Sequence, residues 1–158
     1  MAYEAIISRA LDCDHINLGF SGNAKGEQEM TDYIKDLDMS LFVMDYDYNA
    51  PSAEHLKKTH EKMFKCIRKK NPTLPILIMS RPKYYLSDGE KDRLQIVKAT
   101  YENAIAAGDK NVYFIDGSTL MSDELGADGT VDNCHPTDLG FFSMAQRMIP
   151  VIEKILIK

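Results

Sequence analysis

Short apolar runs alternate with helix-patterned segments along the whole chain, and this alternation restricts the fold more than any other feature. HINLGF (15–20), SLFVMDY (40–46), LPILIMS (74–80) and NVYFID (111–116) have strand length and are mainly apolar, the last three at consecutive positions. A run that is apolar on both faces belongs to a sheet covered on both sides, whereas a half-exposed strand alternates with polar residues. The intervening segments carry apolar residues at helical spacing: Tyr3, Ile6, Ile7, Ala10 and Leu11; Met30, Tyr33, Ile34 and Leu37; Leu56, His60, Met63 and Ile67; Leu94, Val97, Tyr101 and Ile105; Phe142, Ala145, Met148, Ile152 and Ile155. The order predicts an α/β fold of three α/β/α layers with a parallel sheet. With 158 residues and no internal repeat or linker, residues 1–158 are read as one domain.

The formal charge of -5 argues against a nucleic-acid or acidic-membrane partner, because both require a basic face. Small, weakly charged substrates fit better. Cys13, Cys66 and Cys134 are odd in number and widely spaced, which suggests neither disulfides nor a zinc knuckle and makes the cytosol the expected compartment. The opening MAYEAIISRALDCDH has no secretory-leader pattern, although secretion stays open if the chain is a fragment.

In a parallel sheet the ligand site lies beyond the carboxyl ends of the strands. That rule selects the loops SGNAKGE, DYDYNAPSAE, SRPKYY and the stretch from DGSTL to DNCHP. In the last of these, Asp132 precedes His135 by three residues, and Thr137 can cap the helix that follows. A carboxylate on one ring nitrogen of an imidazole leaves the other free to act as a base. The same pair could merely close a turn. Gly22 offers an amide that a substrate could approach closely, and Asn49 offers a side-chain amide; either could equally be a turn residue. No G-K-[ST] closes the glycine loop, so nucleotide binding drops down the list. Asp45 with Asp47 as a magnesium site, the stretch from Asp12 to His15, and His55 with His60 as metal ligands are all weak, and solvated side chains account for the histidines better.

Taken together, INLGFSGNAKGE, LFVMDYDYNA and DNCHPTDLGFFSMA resemble, in order and spacing, the second, third and fifth sequence blocks of the SGNH (GDSL-type) esterases and lipases. NLGFSGN is similar to the GDSL-like acylhydrolase branch, and the likeness covers nearly the whole chain. It implies a flavodoxin-like α/β/α hydrolase fold and acyl transfer to water through a serine nucleophile, with no cofactor. His135 takes the role of base, Asp132 of its acid partner, and Gly22 and Asn49 of the oxyanion donors. The expected substrates are small acyl or acetyl esters, acetylated carbohydrates among them.

Two departures accompany the resemblance. DYDYNA stands where the family has Gly-x-Asn-Asp, and the first block, with its strand and serine, is missing. Ser8 falls in the first predicted helix and Ser21 in the second block, so neither occupies the nucleophile's position. The expected explanation is a start inside a longer reading frame, which leaves open whether the chain as given is active. Because the family's first strand lies between the second and third, its loss is expected to leave unpaired edges and to favour homo-oligomers. Competing readings are a non-catalytic α/β module that binds a ligand or partner, and a flavodoxin-like flavin or nucleotide binder.

Overall fold

A computed structural model describes residues 2–157. The elements follow in the order α1 (Tyr3–Leu11), α2 (Gln28–Ile34), β1 (Phe42–Met44), α3 (Ala53–Lys70), β2 (Ile76–Met79), α4 (Asp88–Ala106), β3 (Val112–Ile115) and α5 (Asp138–Leu156). They fall into two compact units. One comprises Met1–Leu18, Pro82–Leu86 and Asp116–Lys158; the other comprises Gly19–Arg81 and Ser87–Ile115.

The second unit is built on the parallel sheet, with strand order β1-β2-β3. Ile76 pairs with Phe42 on one side and Val112 on the other, so β2 has a neighbour along both edges. All four β2 residues are buried, as a continuous apolar run requires. Leu56, Met63, Phe64 and Ile67 bury the apolar stripe of α3, whose first turn is capped by the Ser52 hydroxyl on the His55 amide. At the amino ends of the strands, Arg68 pairs with Asp109 at 2.7 Å and donates to the carbonyls of Asn71, Leu74 and Asn111. These carbonyls flank β2 and β3; Asn111 O also accepts from Ile76 N and Asn71 O from Leu74 N, so one guanidinium adds a donor to backbone groups at the strand starts.

The structure departs from the sequence expectations at several places, among them Tyr33 and Phe142, which sit on the expected apolar stripes of α2 and α5 yet are 53% and 51% exposed. Residues 15–20 form no strand, and Ile16 is 66% exposed. A strand exists only through its ladder, and the sheet of the described residues contains β1, β2 and β3 alone, with no pairing to this segment. The buried face of α4 also differs: it carries Arg93, Val97, Thr100 and Ala104, whereas Ile105 is exposed. Polar groups elsewhere in the core demand these partners.

His60 makes one of those demands and is not solvated. It is buried, its Nδ1 lies 2.8 Å from the Thr100 hydroxyl, and its ring stacks on Tyr46 with centroids 5.5 Å apart. Burial lowers its pKa to about 4, against a partial opposing pull from the Asp47 and Glu61 charges.

In the first unit α1 packs on α5 through Ile6 and Ile7. The Ser143 hydroxyl, on α5, donates to Leu120 O and accepts from Ser122 N. Gly140 brings the first turn of α5 against the loop before it: a Cβ there would stand 1.9 Å from Gly129 O. No helix among the described residues is long and apolar enough to cross a membrane.

Two measurements follow. The unfolded chain takes up a proton on His60 near pH 6.5 that the folded chain refuses until about pH 4, so stability is intact above pH 6.5 and falls as the pH drops towards 4. Between pH 7 and pH 5 the loss amounts to about 2 kcal/mol, and His60→Gln should remove it from urea unfolding curves; an unchanged pH slope would contradict the assignment. Gly140→Ala should lower stability by about 1–3 kcal/mol through overpacking against Gly129. The opposite sign, usual for this exchange inside a helix, would show that the contact yields.

Candidate active site

The DNCHP loop is a closed structure on its own. Thr130 and Pro136 form an antiparallel bridge, Val131 N donates to His135 O at 2.8 Å, and Asn133 adopts a left-handed φ of 60° at the tip. Asparagine tolerates that conformation better than most residues. Downstream, the Thr137 hydroxyl accepts from Gly140 N at 3.1 Å and caps α5, while Thr137 N donates to Gly129 O. Both ends of the loop are therefore anchored.

Inside it, Asp132 makes three contacts. Its Oδ1 accepts from Cys134 N at 3.0 Å and His135 N at 2.8 Å, and its Oδ2 lies 2.7 Å from His135 Nδ1. These hydrogen bonds, that of the His135 amide first and that of its ring second, hold the Asp132 carboxyl down at about 2. An ionised carboxylate only accepts, so Nδ1 must carry the proton and Nε2 presents a lone pair. The imidazole side chain is 78% exposed, open to a reacting group. Asp132, Cys134 and His135 each offer a ligand atom within 4.8 Å of one another, but the carboxylate is already committed to the ring and two amides.

Gly22 lies in an exposed turn where Phe20, Ser21 and Gly22 have φ of 48°, 45° and 83°. Two side-chain-bearing residues in this region cost energy that the surrounding loop must supply. A Cβ on Gly22 would meet nothing within 4 Å, so the positive φ is what calls for glycine there. Ser21 is exposed in the same turn, and Ser8 lies on α1 with its hydroxyl donating to Cys13 O.

Asn49 is half-buried in the turn after β1, where its N–H and that of Ala50 both donate to Tyr46 O, at 3.0 and 3.2 Å. The Gly22 and Asn49 loops are joined. Gly26 lies so close to the Tyr46 ring that a Cβ would be 2.8 Å from it, and His55 Nε2 lies 2.8 Å from Lys25 O. His55 is thus a structural tie at the head of α3.

Asp47, beside Asn49, has a side chain with no exposed surface. It accepts from Arg81 N at 3.1 Å and from Arg93 Nε at 2.8 Å, and Arg81 Nη2 is 3.4 Å away. Arg81 continues to Glu90 at 2.9 Å and lies over the Tyr48 ring at 4.6 Å. With both guanidiniums on it, Asp47 is unsuited to hold magnesium. Sequence reasoning did not find Arg81 or Arg93. The available signal was an acid at the end of an apolar strand, which needs cations wherever it is buried.

The model of the GDSL-like lipase/acylhydrolase family matches residues 1–153. A solved structure described as a GDSL-like lipase from Bacteroides ovatus is 31% identical with a TM-score of 0.85, covering 98% of this chain and 47% of that one. The salicylyl-acyltransferase SsfX3 of a tetracycline biosynthetic pathway shares the fold at 19% identity and TM-score 0.81, over 99% of this chain and 50% of its own. A family two carbohydrate esterase from Clostridium thermocellum, solved with cellohexaose, does so at 18% identity and TM-score 0.71, over 98% and 54%. The chain thus spans about half the length of these structures. No curated protein sequence matches it significantly. Family model and structural likeness agree with the architecture of the parallel sheet: the chain belongs to the GDSL-like lipase/acylhydrolase family.

Proposed function

We propose that this protein is a carboxylic ester hydrolase of the SGNH type in which His135 is the general base and Asp132 its orienting acid. The observation that carries this reading is the Asp132 carboxylate 2.7 Å from His135 Nδ1, in a loop that leaves the ring exposed. As a serine hydroxyl adds to an ester carbonyl, Nε2 takes its proton and the carbonyl oxygen becomes an oxyanion. Gly22 and Asn49 are the donors proposed for that charge. Collapse of the intermediate expels the alcohol, which recovers the proton from Nε2, and water then repeats the sequence on the acyl-enzyme. Asp132 stays ionised throughout and keeps Nδ1–H turned away from the reacting atoms.

The nucleophile in this reading is a serine of the family's first block, so the protein to assay is the one expressed from its full gene. Small acyl and acetyl esters are the proposed substrates, carbohydrate acetates among them, in keeping with the carbohydrate esterase that shares the fold.

The test is hydrolysis of p-nitrophenyl acetate. His135→Ala should lower kcat by about 10⁶-fold, and Asp132→Asn by about 10⁴-fold with little change in KM. Turnover that survives His135→Ala would end the reading. Asn49→Ala should cost about 10²–10³ if its amide meets the oxyanion.

A further inference from the structure

Arg93 donates to groups on both sides of Asn49. Its Nε reaches the Asp47 carboxylate at 2.8 Å, and its Nη2 reaches Asp47 O and, at 3.0 Å, Ala50 O. One planar group therefore holds three acceptors spread over four residues, with Asn49 between them. We propose that Arg93 is a positioning residue, which sets the Asn49 turn in the geometry needed for oxyanion stabilisation. The inference rests on the role proposed for Asn49.

The contact is more than a surface ion pair. Arg93 is 8% exposed and the Asp47 side chain not at all, so taking the two charges out of water costs several kcal/mol unless geometry and further hydrogen bonds offset it. Here the offset includes main-chain carbonyls of the turn itself, which couples the position of the guanidinium to the path of residues 47–50. The other side of the turn is closed by Tyr46 O, which accepts from Asn49 N and Ala50 N. The turn thus has one anchor on its N–H groups and one on its C=O groups.

The second anchor stands on a separate, fixed element. Arg93 belongs to the first turns of α4, where Glu90 accepts from Ser87 N at 2.9 Å and also holds Arg81. Arg81 donates in turn to Asp47 from its backbone and its side chain. Loop and helix are locked through two arginines that meet on one carboxylate. An oxyanion donor acts through preorganisation, and a displacement of about 1 Å can cost on the order of 10²-fold in rate.

Lysine at position 93 keeps a positive charge for Asp47, but a single ammonium lacks the fork that spans the carboxylate and Ala50 O together. The experiment compares the protein expressed from its full gene with its Arg93→Lys, Asn49→Ala, double and His135→Ala variants in ester hydrolysis. Amide exchange of residues 46–50 is measured by NMR alongside. Arg93→Lys should lower kcat by about 10–100-fold with KM within about threefold, and add little to Asn49→Ala in the double variant. Exchange at Asn49 and Ala50 should quicken at least about tenfold while β2 amides hold. If Arg93→Lys does not fold, Asp47→Asn replaces it, since it keeps the main-chain acceptors and weakens only the charge.

Full turnover in Arg93→Lys beside a dead His135→Ala would overturn the inference and leave the esterase reading standing. Additive losses in the double variant would overturn it too. If the parent shows no His135-dependent turnover, the esterase reading falls and the catalytic half of the inference with it. Unchanged exchange at Asn49 and Ala50 would overturn the inference whatever the kinetics.

Discussion

A carboxylate without solvent access organises the carboxyl end of the sheet. Asp47 follows β1, Arg81 follows β2 and Arg93 belongs to α4, so a single buried charge ties two strands and a helix at one point. Removing either cation would leave Asp47 short of compensation in a low-dielectric site, which is why such clusters fix geometry more than they add stability. At the opposite end, Arg68 performs a comparable task with four acceptors around β2 and β3. Between these two clasps the strands need only be apolar, and they are.

The second carboxylate is used differently. Asp132 is half-exposed, and its charge is stabilised by two amides and a ring N–H of its own loop. A loop bridged between Thr130 and Pro136, followed by a capped helix, fixes the backbone that carries the imidazole, and the orienting role proposed for Asp132 rests on that frame. Gly140 supports this from below, since only a residue without Cβ lets α5 begin so close to Gly129 O. Local chemistry and helix packing converge on one ring nitrogen.

Much of this was legible in the chain. Among the described residues, the five α-helices and the three strands coincide with segments whose apolar pattern marks them, because burial dictates the pattern. The Asp132–His135 pair was readable since its members are three residues apart and meet within one loop. Residues 15–20 were misread because a strand's partner is not written in the strand itself. The inward face of α4 was misread for a related reason: Thr100 answers His60 and Arg93 answers Asp47, across 40 and 46 positions of sequence. Periodicity records apolar demand and is silent on polar demand. Gly22 and Asn49 stood out only through the family resemblance, since taken alone each is an ordinary turn residue.

In the proposed mechanism Asp132 fixes the His135 ring with its proton on Nδ1 and Nε2 free to accept one. Long-range nitrogen–proton NMR of the histidine rings at pH 8 reads this directly. The His135 signals should show the proton on Nδ1, and Asp132→Asn should replace them with a mixture of tautomers. A proton on Nε2 in the unsubstituted protein would contradict it.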